Sequence, residues 1–210
     1  MEKELAVLIA KLQGIAQTGK TYAKDPYDLE RYDELKQITG QLAKLLYPTI
    51  PDDRLTVYLS ADDGYATPKV DIRAVIFDQQ DRLLLVQEKS DARWALPGGW
   101  ADIGYSPMEI AEKETFEEAG IQVTGDRLIA VRDKAKHDYP PALIYTYKLF
   151  ISCLFVEGEL TSGLETSDVR FFSKTDVQKL ALSEERNTYA DIEMLFEDHF
   201  SPHKERINCD

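Results

Sequence analysis

The feature that most constrains this chain is a glycine loop followed by a helix whose two ends are both marked. Residues 97–99 read Pro-Gly-Gly, and residues 106–109 read Ser-Pro-Met-Glu. The serine predicts an N-cap, the proline fits the first helical position, and the glutamate closes a capping box. Gly120 is placed to end the helix. The sequence therefore predicts a glycine loop followed by a helix of defined length, and the fold must accommodate both.

Three glutamates inside that helix indicate a metal ion. Glu114, Glu117 and Glu118 stand at i, i+3 and i+4, which places them on one helical face. Like charges at this spacing destabilise an isolated helix by roughly 0.2–0.5 kcal/mol per pair. Hard divalent cations prefer carboxylate oxygens, and Mg²⁺ is commonly held by a few carboxylates together with substrate phosphates. We therefore expect a Mg²⁺ or Mn²⁺ site; the alternative is a solvated acidic helix face.

The composition narrows the classes of partner. Apolar residues make up 43% of the chain, enough for a packed core, and the formal net charge is −13. Such an acidic chain is a poor match for a nucleic acid backbone, which calls for basic patches. An anionic small-molecule substrate needs a metal or a local basic pocket to offset the repulsion. Cys153 and Cys209 are the only cysteines, which does not support a disulfide framework or a structural zinc site.

The start of the chain and its hydropathy bear on location. The first residues, Met-Glu-Lys-Glu, lack a secretory pattern. No apolar run approaches the length of a membrane span. We therefore expect a cytoplasmic protein with no membrane partner.

The pattern changes between residues 1–66 and residues 67–210. In the first part, apolar residues follow helical spacing from Leu5 onward, with Gly19 as the expected stop. Asp25, followed by proline, then predicts the N-cap of a second helix. The first part is therefore expected to be a small helical domain.

This helical hairpin needs a further surface to pack against. Two helices cannot bury both of their apolar faces in one mutual contact, so the hairpin should pack on the second domain or on a second copy of the chain. We expect a homodimer. Residues 48–68 read as a linker with one short element around 55–59.

The second part mixes strands with helices. Ser173 predicts the N-cap of a short helix through Leu180, and a last helix is expected from Thr188 to Phe200. The nearly continuous apolar segment at 143–155 indicates a central strand. This mixture predicts an α/β (α+β) sandwich. Strand patterns occur at 70–77, 83–87, 94–99, 122–123, 128–131, 143–155 and 169–172.

Taken together, the loop and the helix resemble the signature of the Nudix hydrolases, G-x5-E-x7-R-E-U-x-E-E-x-G-U, where U is aliphatic. Two positions depart from it: Tyr105 stands where the first glutamate is expected, and Lys113 where the arginine is expected. Thr115 replaces an aliphatic residue, a milder change. The matching positions are Gly99, Glu114, Glu117, Glu118, Gly120 and Ile121.

The resemblance implies a fold and an activity. It implies a Nudix-like α/β/α sandwich with a mixed sheet over residues 67–210, preceded by the helical domain. By this resemblance the three glutamates and the Gly98 carbonyl bind the metal, and the glutamates are catalytic. The sequence also resembles a subgroup with an N-terminal helical domain, associated with CDP-choline and ADP-ribose pyrophosphatases. The implied reaction cleaves the pyrophosphate of a nucleoside diphosphate linked to a moiety X, giving a nucleoside monophosphate and a phosphorylated product.

Residues outside the helix complete the predicted site. Glu165, in a loop leading to a strand, is the candidate for the catalytic base, and its alternative is an exposed loop acid. Arg73 and Lys89 are candidates for phosphate contacts, and the alternative for Arg73 is a solvated charge at a strand edge. The candidates for substrate contacts through an aromatic face or a polar loop are Trp100, Tyr105, His137 and Tyr139, against packing or a surface loop.

Two other functions remain open at this point. A Nudix-like domain that senses nucleotides without cleaving them fits the altered positions 105 and 113, although the three glutamates favour catalysis. Hydrolysis of RNA ends is the third possibility, and the net charge of −13 weighs against it.

Overall fold

The computed structural model describes residues 1–51, 53–55, 59, 63–201 and 206–210. The chain divides into two compact units. The first comprises Met1–Lys69 and Pro140–Tyr145, and the second comprises Val70–Tyr139 and Thr146–Asp210. The short segment 140–145, which the sequence analysis placed in the second domain, therefore packs with the first unit.

The first unit begins with two long helices, α1 (Glu2–Tyr22) and α2 (Pro26–Leu46). The predicted cap at Asp25 is confirmed, because its carboxylate accepts hydrogen bonds from the first amides of α2. The predicted stop at Gly19 is wrong, since α1 continues through it to Tyr22. A Cβ atom at Gly19 would lie 2.3 Å from the ring of Tyr32. This glycine therefore lets an aromatic ring of α2 lie directly on α1.

The linker is only partly described. Residues 53–55 and 59 are helical, and the other residues of the element expected at 55–59 lie outside the described residues. Leu55 is buried with Ile9 and Ala43 in a small apolar core within the first unit.

In the described part of the second unit, the chain forms two sheets and three α-helices. The four-stranded sheet has the order β1-β5-β4-β7, and the three-stranded sheet has the order β3-β2-β6. Strand β7 pairs parallel with β4, while β4 and β5 are antiparallel, so the larger sheet is mixed as expected. The strands are β1 Lys69–Val75, β2 Leu83–Glu88, β3 Trp94–Ala95, β4 Ile121–Asp133, β5 Thr146–Gly158, β6 Thr166–Phe172 and β7 Asn208–Cys209. The helices are α3 Pro107–Ala119, α4 Lys174–Val177 and α5 Tyr189–Phe200.

Alternating residues of strand β2 contribute to two different apolar cores. Leu83 and Leu85 of β2 enter a core with α5, whereas Leu84 and Val86 enter a core with α3. Successive side chains of a strand point to opposite faces, so helices cover both faces of the strand layer. The predicted α/β sandwich is thereby confirmed.

The strand predictions were correct in type and wrong in extent. The two short strands expected at 122–123 and 128–131 form one strand, β4, which stays paired to β5 through several register shifts. β5 is central, with β1 and β4 as neighbours, but it begins at Thr146 rather than at 143. Ser173 caps α4 as predicted, but α4 ends at Val177 rather than at Leu180. The last predicted helix is confirmed as α5, with Thr188 as its N-cap and Phe200 as its last residue.

A buried polar cluster surrounds the N-terminus of α5. Asp191 is fully buried, and its carboxylate is 2.8 Å from the Arg132 guanidinium. It also accepts hydrogen bonds from the hydroxyl groups of Tyr139 and Thr188. A buried carboxylate is tolerated when it is paired and hydrogen-bonded in this way. Asp191 therefore ties α5 to β4 and to the segment that follows it.

None of the helices in the described part of the chain carries an apolar stretch long enough to cross a membrane.

We predict that Asp191→Asn lowers the free energy of unfolding by about 3–5 kcal/mol, because it leaves the Arg132 charge buried without its partner. Urea denaturation followed by circular dichroism measures the change. Glu193→Gln is the matched control, since Glu193 lies on the same helix in an exposed ion pair with Lys174. Exposed pairs contribute about 0–1 kcal/mol, so equal losses in the two variants would contradict the prediction.

Candidate active site

The glycine loop lies against strand β1 as an additional extended segment. Ile72 N donates to Gly99 O at 2.8 Å, and Ala74 N donates to Pro97 O at 2.8 Å. Gly98 has a φ of +144°, and a Cβ atom there would lie 2.0 Å from the carbonyl oxygen of Ile72. Only glycine fits this position, both for its backbone conformation and for its contact with β1.

Helix α3 begins and ends at the predicted residues. Both bonds of the capping box between Ser106 and Glu109 are present, and Gly120 adopts the left-handed conformation with a φ of +73°. The spacing of the three glutamates brings them to one cavity of about 540 Å³ beside the glycine loop. The cavity is lined by Gly99, Trp100, Asp102, Lys113, Glu114, Glu117, Glu118, Leu164 and Glu165.

Glu118 joins the helix to the loop. Its carboxylate accepts a hydrogen bond from Gly98 N at 3.0 Å, and the residue is only 7% exposed. Burial raises the pKa of Glu118 to about 8, against the lowering effects of the Gly98 amide and the Arg73 charge. Burial also raises the pKa of Glu114, whose carboxylate lies close to Gly99. Carboxylates bind metals in their ionised form, so a cation at Glu118 would favour the ionised carboxylate.

Lys113 occupies the centre of the acidic group. Its ammonium is 3.0 Å from Asp102, 3.8 Å from Glu114 and 3.7 Å from Glu117. It also lies 5.9 Å from the ring centre of Tyr105. The hydrogen bond that Lys113 donates to Asp102 raises the pKa of Lys113, and the negative charge of Glu117 adds to the effect. The acid that braces position 113 is therefore Asp102, three residues before the position where the signature has its first glutamate.

The donor set fits a hard divalent cation in chemistry. Glu114, Glu117 and Glu118 supply carboxylate oxygens beside a loop that carries no side chains at Gly98 and Gly99. Among the described residues, however, no three His, Cys, Asp or Glu side chains are already gathered as a metal-binding group. The Lys113 ammonium lies near two of the glutamates, and Gly98 N engages the third. Binding a cation therefore requires these side chains to exchange partners.

Arg73 lies beneath the glycine loop. The residue is 5% exposed, its guanidinium is 2.8 Å from Asp71, and it donates to Leu96 O at 3.2 Å. Burial lowers its pKa, but the neighbouring charges of Asp71 and Glu118 outweigh this and raise it. Asp71 in turn pairs with the fully buried Lys148. In this structure the Arg73 guanidinium holds the start of the glycine loop through its bond to Leu96 O. A phosphate contact by Arg73 stays a prediction.

Lys89 and Glu165 meet at the edge of the cavity. The Lys89 ammonium donates to Gly163 O at 3.1 Å and to Leu164 O at 2.8 Å. Lys89 N donates to Glu165 O at 2.8 Å. Lys89 thus contacts the loop that carries Glu165, and its predicted phosphate contact remains untested. Glu165 itself is exposed and lines the cavity, as a catalytic base requires.

The aromatic residues and the histidine predicted to contact substrate lie in two separate places. Trp100 lines the cavity and is 52% exposed, and Tyr105 lies next to Lys113. Tyr139 is 3% exposed and donates to Asp191, away from the cavity lining. His137 lies 2.7 Å from Asp210, a C-terminal residue that follows β7. The structure therefore does not bring His137 and Tyr139 to the glutamates.

Sequence reasoning missed the residues that fix the loop around Glu165. Thr166 is fully buried, and its hydroxyl donates to Glu118 O at 2.7 Å. A Cβ atom at Gly163 would lie 1.8 Å from Glu117 O. The only sequence signal was the Gly-Leu-Glu-Thr run itself, because contacts to helix carbonyls leave no periodic pattern.

Two family profiles match the chain. Residues 3–47 match a profile described as a UDP-X-like, N-terminal oligomerisation domain, and residues 67–192 match the NUDIX domain. The second match covers the glycine loop, helix α3 and every strand of the second unit except β7.

Similar proteins extend the match to almost the full chain. A putative ADP-ribose pyrophosphatase, YjhB of Bacillus subtilis, is 38% identical over 197 residues, which is 94% of this chain and 93% of that protein. A crystal structure of an ADP-ribose pyrophosphatase from Streptococcus suis is 38% identical, covering 69% of this chain and 100% of its own, with a TM-score of 0.61.

A crystal structure of a UDP-X diphosphatase covers 99% of this chain and 98% of its own, with 30% identity and a TM-score of 0.61. The loop, the capped helix and the three glutamates thus agree with matches that span both parts of the chain. The chain belongs to the Nudix hydrolase family.

Proposed function

We propose that this enzyme hydrolyses the pyrophosphate bond of a nucleoside diphosphate linked to a second moiety, with Mg²⁺ or Mn²⁺ as cofactor. The observation that carries the proposal is the convergence of Glu114, Glu117, Glu118 and Glu165 on one cavity beside the glycine loop. Water attacks one phosphorus of the P–O–P bridge, and the bridging oxygen leaves with the other phosphate. The products are a nucleoside monophosphate and a phosphorylated second product.

The glutamates of α3 are assigned the role of holding the cation that neutralises the charge of the phosphates. Catalysis of phosphoryl transfer is largely positioning and electrostatic stabilisation. When bound, a divalent cation supplies Lewis-acid stabilisation of the phosphate oxygens and activates water. Glu114, Glu117 and Glu118 hold that charge in place, and the rigid loop at Gly98 fixes how closely a phosphate approaches.

Glu165 is the proposed base. It lies on the wall of the cavity formed by the loop before β6, separate from helix α3. An exposed carboxylate on a fixed loop can accept a proton from the attacking water and return it to solvent. This assignment separates the residues that hold charge from the residue that moves the proton.

The substrate assignment rests on the relatives. YjhB and the Streptococcus suis protein are named for ADP-ribose, and the third relative for UDP-X compounds. We therefore place ADP-ribose and related nucleotide sugars first, ahead of CDP-choline. Trp100, half exposed at the cavity, offers an aromatic face on which a nucleobase can stack.

We predict that the protein with Mg²⁺ or Mn²⁺ hydrolyses ADP-ribose faster than CDP-choline, and that EDTA abolishes turnover. The measurement is a panel of ADP-ribose, UDP-sugars and CDP-choline, read as phosphate that an added phosphatase releases from the products. Triphosphorylated RNA, whose terminal phosphates the phosphatase would remove directly, is followed by chromatography of its products without phosphatase. Because the phosphatase is itself sensitive to chelation, EDTA is removed before the readout. Tight nucleotide binding without product would instead identify a sensor.

We predict that Glu117→Gln and Glu118→Gln each lower kcat by about 10²-fold or more, since each removes charge that neutralises the transition state. Glu112→Gln is the matched control: Glu112 lies on the same helix but accepts a hydrogen bond from Gly125 N, which glutamine can also accept. Circular dichroism establishes that all three variants are folded. Near wild-type kcat in both cavity variants would refute the assigned roles.

We also propose that the oligomer is a homodimer formed through α1. Exposed apolar residues recur on this helix at intervals of seven: Leu8 is 55% exposed, Ile15 is 58% exposed and Tyr22 is 67% exposed. A seven-residue apolar repeat is the pattern of a helix that packs lengthwise on another. The match to an oligomerisation profile over residues 3–47 covers both α1 and α2 and supports association through this helical unit, while the exposed stripe is what singles out α1.

Sedimentation equilibrium at micromolar concentration tests the dimer. Leu8→Lys combined with Ile15→Lys should yield a monomer, because two ammonium groups then stand in the apolar stripe. Glu30→Lys, an exposed charge change on α2, is the control that should leave the dimer intact. A monomeric wild-type protein would overturn the dimer.

A further inference from the structure

The loop that carries Glu165 is held at both of its ends. On one side it covers the last carbonyls of α3: Thr161 N donates to Ala119 O at 3.0 Å, and the Thr166 hydroxyl donates to Glu118 O at 2.7 Å. These carbonyls have no partner within the helix, so the loop completes the hydrogen bonding of the helix end. The same helix turn carries Glu117 and Glu118.

Gly163 brings the loop still closer to the helix. No side chain fits there, since a Cβ atom would lie 1.8 Å from Glu117 O. Gly163 N donates to the Thr166 hydroxyl at 2.7 Å, which closes a tight turn over Leu164 and Glu165. The turn is thereby held against α3 at its base, while Leu164 is 94% exposed.

The other side of the turn is held by the side chain and the backbone of Lys89. The Lys89 ammonium donates to the carbonyl oxygens of Gly163 and Leu164, and its backbone amide donates to Glu165 O. The three bonds bind three consecutive residues of the turn to the residue that follows β2. An ammonium group has three donors and forms charge-assisted bonds, which are stronger than neutral ones.

We infer that Lys89 is a positioning residue that fixes the turn at 163–165 and thereby orients Glu165 toward the reacting water. This inference rests on the proposed function. It differs from a phosphate contact in its kinetic consequence. A residue that binds substrate changes KM, whereas a residue that orients the base changes kcat at nearly constant KM.

Lys89 is expected to affect the position of Glu165 more than the free energy of unfolding. Lys89 is exposed, and exposed charged contacts contribute little to the free energy of unfolding. Displacement of a catalytic group by about 1 Å can cost about 10²-fold in rate. A variant at position 89 should therefore fold normally and still react slowly.

The test compares Lys89→Met, Lys89→Arg and Lys179→Met, in wild-type and Glu165→Gln backgrounds. We expect Lys89→Met to lower kcat by about 10- to 100-fold with KM changed less than about twofold. Lys89→Arg should recover part of kcat, and Lys179→Met, an exposed lysine on the segment after α4, should match the wild type. In the Glu165→Gln background, Lys89→Met should cause no further loss, because both changes remove one function.

Three kinetic results would overturn the inference: a rise of KM at constant kcat, a full additional loss in the Glu165→Gln background, or a wild-type rate in Glu165→Gln. Hydrogen exchange supplies a readout that does not depend on turnover. The amides of residues 163–165 should exchange faster in Lys89→Met, with the rest of the unit unchanged. Unchanged exchange would show that Lys89 does not hold the turn, even if no tested pyrophosphate were hydrolysed and the proposed function had failed.

Discussion

The hydrogen bond between Gly98 N and the Glu118 carboxylate is the contact on which the site depends. It joins a loop that lies along β1 to a helix that packs on the opposite side of the cavity. Glu118 is therefore a structural acceptor as well as one of the acids beside the proposed cation. Burial raises its pKa to about 8, and the hydrogen bond from Gly98 N opposes that rise, so the contact favours the ionised carboxylate. The position of the loop, the approach of a phosphate and the charge of the helix are thus coupled through one carboxylate.

Around this contact the chain replaces two standard residues of the family signature with a different set of partners. The signature pairs a glutamate with an arginine, and this chain has Tyr105 and Lys113 at those positions. In the structure Asp102 supplies the negative charge, and the Tyr105 ring lies beside the ammonium. The Lys113 ammonium lies 3.0 Å from the Asp102 carboxylate. The charge at position 113 is therefore paired by an acid of the preceding loop.

Local signals in the sequence were sufficient for the helix ends that carry a capping residue. Asp25, Ser106 and Gly120 act through bonds to residues two to four positions away, so the order of residues alone reveals them. Gly19 misled because its role is a contact with Tyr32 on another helix, which no local pattern records.

The same limit applies to the site. The spacing of the three glutamates on α3 was readable, since helical periodicity fixes it. The partners of Lys89 and Tyr139 were not readable, because those side chains are satisfied by a carbonyl and a carboxylate distant in sequence. Arg73 pairs with the nearby Asp71, but its bond to Leu96 O also joins residues far apart in the sequence. The order of the strands in the sheets determines which loops meet across the fold. That order cannot be read directly from a single sequence.

The contrast between the two adjacent residues Gly163 and Leu164 has a consequence for how such an enzyme can diversify. Position 163 admits no side chain because the helix backbone fills the space, whereas the side chain at 164 extends almost wholly into solvent at the rim of the cavity. The acid next to them keeps its place as long as the glycine is retained. Position 164 is thus free to change in size or polarity, and selection can adjust which nucleotide derivative is preferred while the hydrolytic geometry is inherited intact.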